Sequence, residues 1–359
     1  MKLAIHADCP PGNPTGIGRY MIELVKALES GGHHLETWTR WRWKKQVEKM
    51  LAGTGTRVLP LLSTGGFTDG ILPGHYSKKG SIHLVHSPNG KLLPSSSSFR
   101  QTMMVHDLAF LLFPGTKPPG EADAWKRKIE KAVTRADGIL VNSASTRDDL
   151  LEWFPRARGK THLTRLGIDH LKLPGEVSSN QGEHILTVGT VEPRKNITRL
   201  IMAYGEAAGN MDSIPPLVIA GGMGYRSEDI LAAAEASPVR EKIRFTGYVT
   251  EEKLLDLYRK AVCLVHPAIH EGFGFTVPEA LGFGLPVVSS GNGALGELYS
   301  EAVYTVDPRD HLDIASGIVR ALDQGLTPSL LDAARGLFQK LTWRNCADAT
   351  LQAFDEILK

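Results

Sequence analysis

His270-Glu271-Gly272-Phe273-Gly274-Phe275-Thr276-Val277-Pro278-Glu279 follows an apolar run at 263–266, and the way it breaks that run sets the reading of the whole chain. Two carboxylates eight positions apart on one helix would lie about 80° out of line, so a shared helical face does not account for Glu271 and Glu279. A loop entering a helix does. Gly272 and Gly274 permit backbone conformations that other residues resist, and Pro278 suits a first helical turn, where its missing N–H costs nothing. The segment then reads as strand, glycine loop and helix, the repeating unit of a parallel α/β layer. Glu271 falls in the loop, Glu279 falls in the first turn, and the backbone N–H groups between them suit a phosphate. Acidic residues at helix starts and paired glycines at turns also arise for purely structural reasons, so the surroundings decide.

Outward from this segment the alternation continues through most of the chain. Strands are expected at 2–7, 35–39, 57–61, 82–86, 102–106, 138–142 and 160–166, with helices at 17–29, 121–136 and 145–154 among those between them. The pattern restarts with strands at 184–189, 217–220, 243–246, 263–266, 287–289 and 303–305. Between the halves, Pro174, Gly175, Ser178, Ser179 and Gly182 give a linker composition. The expected architecture is α/β, two doubly wound Rossmann-like domains facing across a cleft: 1–170, a linker at 171–183, and 184–342. A final helix at 343–359, with Ala347, Leu351, Phe354 and Leu358 at helical spacing, is expected to pack back on the first domain.

The totals agree with this division. At 359 residues the chain exceeds the size at which a single core stops growing. Its 41 lysines and arginines against 39 acidic residues give a net charge of +2, which offers no global attraction for a nucleic acid polymer. Cys9, Cys263 and Cys346 form neither a disulfide framework nor a Cys-x-x-Cys cluster, and no acidic or histidine metal motif appears, so no metal and no cofactor are expected. The N-terminal apolar run is too short for a signal peptide, and no stretch approaches the ~18 apolar residues of a spanning helix. A cytoplasmic protein is expected, at most resting on the inner face of the membrane.

In doubly wound sheets ligands bind beyond the carboxyl ends of strands, which directs attention to the residues there. After the strand at 184–189 comes Gly189-Thr190-Val191-Glu192-Pro193-Arg194-Lys195-Asn196. Two adjacent cations at a helix entrance suit a diphosphate, arginine as a fork and lysine as a point charge, and Asn196 is placed to cap the helix. After the first strand, Gly12-Asn13-Pro14-Thr15-Gly16-Ile17-Gly18 makes a glycine turn into a helix; the dinucleotide fingerprint would need its third glycine at Met21. Gly221, Gly222 and Gly224 suit a backbone wall, and Gly247-Tyr248 a place for a base. His106-Asp107 ends a strand, where histidine can bond a hydroxyl or move a proton. His86, Asn142, Ser143 and His266 occupy similar ends. Residues 37–51 carry Trp38, Trp41 and Trp43 among five cations, which fits either peripheral contact with an anionic membrane or an ordinary amphipathic helix.

Taken together, Glu271 with Glu279, the run ending Arg194-Lys195-Asn196, His106-Asp107, Gly16-Ile17-Gly18 and Asn142-Ser143-Ala144-Ser145 resemble the GT-B-fold retaining glycosyltransferases of family 4 over essentially the full chain. The resemblance implies a nucleoside diphosphate sugar, GDP- or UDP-linked, as donor and a saccharide or lipid-linked acceptor. It implies that Arg194 and Lys195 neutralise the diphosphate. Glu271 would hold donor-sugar hydroxyls and steady the developing positive charge, and Glu279 would bind the ribose. Backbone amides around Gly274, Phe275 and Thr276 would take the distal phosphate, Gly272 and Phe273 would also bind the donor, and Gly247 and Tyr248 would meet the base. His106 would touch the donor sugar, Gly16 and Gly18 would let a loop close over the phosphates, and Asp107, Asn142 and Ser143 would face the acceptor. Metal independence and retention by front-side attack are likewise implied by the family.

Phe275-Thr276 departs from the Leu-Pro-like pair of many relatives, and residues 63–81 match no usable pattern. The transfer of mannose from GDP-mannose is the first expectation for the reaction, with a UDP-sugar as the alternative. A non-catalytic nucleotide- or glycan-binding partner, a nucleotide-sugar epimerase and an NAD dehydrogenase are the readings of other classes.

Overall fold

The computed structural model describes residues 1–8, 16–61, 82–94, 97–171 and 182–359. The expected linker and the segment 63–81 fall largely or wholly outside the described residues, as do Gly12 to Thr15.

The chain forms two compact units. The first comprises Met1–Leu108, Asp123–Gly167 and Leu341–Lys359; the second comprises Ala109–Ala122 and Ile168–Lys340. In the first unit, β1 (Leu3–His6), β2 (Leu35–Arg40), β3 (Arg57–Leu61), β4 (Leu84–Ser87), β5 (Arg100–Val105), β6 (Gly138–Val141) and β7 (Thr161–Leu163) pair in the order 3-2-1-4-5-6-7. Every pair is parallel. In the second, β8 (His184–Val188), β9 (Leu217–Ala220), β10 (Ile243–Gly247), β11 (Ala261–His266), β12 (Val287–Ser290) and β13 (Tyr304–Val306) pair in parallel in the order 10-9-8-11-12-13. Both sheets belong to the doubly wound class. Strand order reverses between β1 and β4 in one unit and between β8 and β11 in the other, and a crevice opens at such a reversal because successive crossovers leave in opposite directions.

Strands covered on both faces are mostly apolar, and β1, β9 and β12 are buried at every position, with polar residues only at the ends His6, Ser289 and Ser290. In the second unit Ile185, Leu217, Ile219, Val265 and Val288 meet Leu200 and Tyr204 of the helix Ile197–Gly209 and Ile314 and Ile318 of the helix His311–Gln324.

The helix Trp343–Leu358 belongs to the first unit, although it follows the second in sequence. Thr342 caps it, its hydroxyl accepting from the Asn345 amide at 3.1 Å. The buried Phe354 lies 5.6 Å from the His86 ring, and Trp343 lies 6.4 Å from the Tyr20 ring. Gly167 lets the helix start approach: a Cβ there would stand 2.2 Å from the Trp343 nitrogen and 2.6 Å from its Cα.

One expectation for the first unit is corrected. Trp38 lies in the middle of β2, fully buried against Phe99, with its indole N–H donating to Glu36 at 2.9 Å, so it has no part in a membrane surface. The middle of β2 is covered on both faces, Thr37 and Thr39 being buried like Trp38, while Trp41 in the short turn Trp41–Trp43, beyond the strand end, is 71% exposed. Gly16 and Gly18 form the first turn of the helix Gly16–Ser30, the helix into which the glycine turn was expected to run.

Because the obstruction at Gly167 is backbone, Gly167→Ala is expected to destabilise the first unit by about 1–3 kcal/mol. Urea unfolding followed by tryptophan fluorescence measures this, and an unchanged midpoint would show that the helix start yields freely.

Candidate functional site

Glu271 stands beyond the end of β11, and Arg194 and Lys195 beyond the end of β8, so the strand-order reversal of the second sheet brings them together. Arg194 Nη1 lies 2.9 Å from Glu271 Oε2, and Lys195 Nζ bonds Oε1 of the same carboxylate. His266, the last residue of β11, places Nε2 3.6 Å from Oε1. The opposite edge of the Arg194 guanidinium meets Glu192, with Nε at 3.2 Å and Nη2 at 3.1 Å from Oε1, while Nη1 also donates to the His270 carbonyl at 3.1 Å. Glu192 Oε2 in turn accepts from Lys117 at 3.4 Å.

Backbone bonding makes this arrangement rigid. The Ile269 amide donates to the Arg194 carbonyl at 3.0 Å, tying the loop after β11 to the loop after β8. Asn196 precedes the helix Ile197–Gly209 but does not cap it with its side chain. Its Nδ2 instead donates to the carbonyls of Pro267 at 3.0 Å and Pro308 at 2.7 Å, joining the loop after β13 to the other two. Gly189, at φ 146°, lets the lysine stem pass, since a Cβ there would come within 3.0 Å of Lys195 Cε.

Burial is the largest single influence on the Glu271 carboxyl and pushes its pKa up. Lys195 and Arg194, with His266, together outweigh it and hold the group well below the usual carboxylate range. Burial likewise keeps His266 below its ordinary value, against the opposing pull of Glu271. The result is an ionised carboxylate with fixed counter-cations and a neutral histidine beside it. That combination can bind hydroxyls and an anion together.

The rest of the segment forms a second limb. The helix Thr276–Gly282 begins just after Phe275 and carries Glu279 in its first turn. Gly274, at φ 79°, makes the turn, and a side chain there would strike Leu295 at 2.5 Å. Phe273 is buried and packs on Phe275, with ring centres 4.8 Å apart; Gly272 is buried and Thr276 partly so. The amides of Val277 and Glu279 are spent on the carbonyls of Gly274 and Phe275, at 3.1 and 3.0 Å. Glu279 Oε2 accepts from the Tyr258 hydroxyl at 3.0 Å, and the Tyr258 ring stacks on Phe283 at 5.1 Å. Gly247 ends β10 at φ 66°, followed by Tyr248, 70% exposed.

In the first unit, His106 Nε2–H donates to the Pro88 carbonyl at 2.7 Å, which leaves Nδ1 as the acceptor of the neutral ring. Burial lowers its pKa, opposed by the Pro88 carbonyl and by Asp107 next to it. His86 is a core histidine, bonded to Tyr20 and Thr102 at 2.9 Å each, and burial lowers its pKa to about 3. Asn142 is buried at the end of β6. Ser143 caps the helix Ala144–Trp153 by accepting from the Thr146 amide at 3.0 Å, so its side chain serves the fold. Among the described residues, no group of three His, Cys, Asp or Glu side chains is gathered as a metal site.

Sequence reasoning gave no part to Glu192, Lys117 or Tyr258. Glu192 was visible two positions before Arg194; Lys117 and Tyr258 come from distant stretches, and no spacing announces them.

These features, with ligand-binding groups at the reversal of a doubly wound sheet in a chain of two such sheets, define a GT-B protein. Residues 14–171 match the model of Glycosyltransferase Family 4, and residues 173–334 match that of Glycosyl transferases group 1. The chain belongs to the GT-B glycosyltransferases that these two domains compose. It is similar to the O-antigen chain mannosyltransferase B of Escherichia coli, 28% identical over 285 residues, covering 76% of this chain and 74% of that protein. It is also 29% identical over 239 residues to the serotype-specific mannosyltransferase WbdA of Escherichia coli, covering 63% of this chain but only 29% of WbdA. In structure it is similar to HepE of Anabaena, solved in complex with UDP and glucose, with a TM-score of 0.72 at 14% identity over 99% of this chain and all of that one.

A carboxyl whose folded pKa lies below its unfolded value contributes stability above the unfolded pKa and loses it as pH falls through the folded one. For Glu271 that places the contribution at neutral pH and its loss well below 4.5. Glu271→Gln is therefore expected to cost about 3 kcal/mol at pH 7, since it takes the carboxylate from the largely buried Lys195 and from one edge of Arg194. The difference from the wild type should narrow only on strong acidification, as measured by urea midpoints across pH, and equal midpoints at pH 7 would contradict the pairing.

Proposed function

We propose that this chain moves a hexose, with retention and without a metal ion, from a nucleoside diphosphate sugar to a hydroxyl of a saccharide or lipid-linked acceptor. The observation that carries the reading is the buried Glu271 paired with the partly buried Arg194 and Lys195 at the β8/β11 reversal. As the bond from the anomeric carbon to the diphosphate oxygen breaks, negative charge grows on the leaving group and positive charge on the sugar. Lys195, with Arg194 beside it, stabilises the first. Glu271, binding sugar hydroxyls, stabilises the second. The acceptor oxygen bonds to the anomeric carbon from the same face, and its proton passes to the departing phosphate oxygen. Glu279, oriented by Tyr258, takes the ribose, and the backbone of 274–276 takes the distal phosphate.

Mannose from GDP-mannose is the preferred donor, supported by the two similar mannosyltransferases. A UDP-sugar is the second reading, supported by the UDP and glucose in HepE. The site of action proposed is the cytoplasm, at the inner face of the membrane when the acceptor is lipid-linked. Exposed Trp41, Arg42, Lys45 and Lys49 provide a surface for that contact. Among the described residues, no helix is long and apolar enough to cross a membrane.

Lys195→Ala is expected to lower transfer at least about 100-fold, with the chain still folded. Near-normal rates would sink the reading. In thermal shift, the correct nucleotide at about 100 times its Kd should add roughly 2.7 kcal/mol of stability. GDP is expected to act more strongly than UDP, the reverse order would favour the UDP-sugar reading, and a chelator should leave the rate of transfer unchanged. Trp41→Ala should reduce co-sedimentation with anionic vesicles, and equal binding by wild type and variant would remove that surface from the account.

A further inference from the structure

Glu192 has no task in the transfer chemistry above, yet its residue is only 7% exposed and the carboxylate is engaged on both oxygens, by Arg194 and by Lys117. A buried carboxylate next to a diphosphate subsite repels the ligand and is costly to desolvate. The geometry shows what offsets that cost. The Arg194 fork is gripped on two edges: Nε and Nη2 face Glu192 at 3.2 and 3.1 Å, and Nη1 faces Glu271 at 2.9 Å and the His270 carbonyl at 3.1 Å. A planar guanidinium held on both edges keeps one orientation. Glu192 is itself held, because the short turn Pro193–Lys195 folds back on it, the Lys195 amide donating to the Glu192 carbonyl at 3.1 Å. With the Glu192 charge removed, the Nε edge would turn toward the diphosphate and draw Nη1 away from Glu271.

We infer that Glu192 is a positioning residue that commits Arg194 to Glu271, leaving Lys195 as the principal cation facing the diphosphate. This rests on the proposed transfer reaction and refines the share that Arg194 takes in it. Glu192 acts through Arg194 and does not touch the reacting atoms. Its effect falls on the orientation of Glu271, and so on the turnover step, while its charge opposes the binding of the nucleotide.

The test is Glu192→Gln, which keeps the shape and removes the charge. Transfer to water from GDP-mannose and from UDP-glucose gives kcat, and calorimetric titration with GDP and UDP gives Kd. The expected result is a fall in kcat of about tenfold with Kd unchanged or lower. An unchanged kcat overturns the inference, as does a fall in kcat matched by a proportionate weakening of nucleotide binding, the mark of a merely structural role. Should the glutamine variant fail to fold, Glu192→Asp keeps the charge but withdraws it by one methylene, and the same split at smaller size is expected. A wild-type chain that neither binds nucleotide nor transfers would overturn the transferase reading and this one with it. An active wild type with unaltered variants would overturn this one alone.

Discussion

A carboxylate taken out of water is stable only if cations go with it, and in this chain Glu271 is paired in that way with Arg194 and Lys195. The requirement runs in both directions. Lys195 and Arg194, 15% and 16% exposed, need a counter-charge while no anion is bound. The loops beyond β8 and β11 must therefore lie within ion-pair reach, and the Ile269 to Arg194 backbone bond and the two bonds from Asn196 hold them there. In the proposed transfer, a diphosphate would meet cations already oriented, leaving little reorganisation for the moment of bond breaking.

Topology supplies the opportunity for that pairing. Parallel strands deliver all their carboxyl ends to one edge, and the crossover that changes direction between β8 and β11 leaves the space where both loops can project. The sheet beneath is apolar and inert. The chemistry is carried by a few residues at its rim.

Much of this was legible in the sequence. Every strand seen was expected, because buried parallel strands read as short apolar runs between helical stretches; the errors are one to three residues at the ends, as at β5, which begins at Arg100 and not Thr102, and at β7, which stops at Leu163 and not Leu166. Glu271, Arg194 and Lys195 were legible because a glycine loop and a paired basic turn each follow a strand. What stayed hidden depends on direction or on distance. The tryptophan count in 37–51 could not say that Trp38 is buried and Trp41 exposed, since that follows from where β2 ends, Trp38 lying inside the covered strand and Trp41 just beyond it. Asn196 has the composition of a cap, yet its amide is drawn to two carbonyls from distant loops. Tyr258 meets Glu279 only because a helix end and a helix start are neighbours in space. Ser143 was expected at the site because it follows a strand end; its part in capping the next helix, which helix starts also require, was not foreseen.

The first unit is sewn from three stretches of chain, and the last of them, Leu341–Lys359, arrives only after the whole second sheet has been made. On the ribosome, then, the surface formed by Tyr20, His86 and Gly138 must wait for Trp343, Phe354 and Ile357. The second unit, by contrast, has all of its strands in hand earlier. The half of the molecule synthesised first is the half completed last, and during that interval an unfinished apolar face depends on chaperones or on speed.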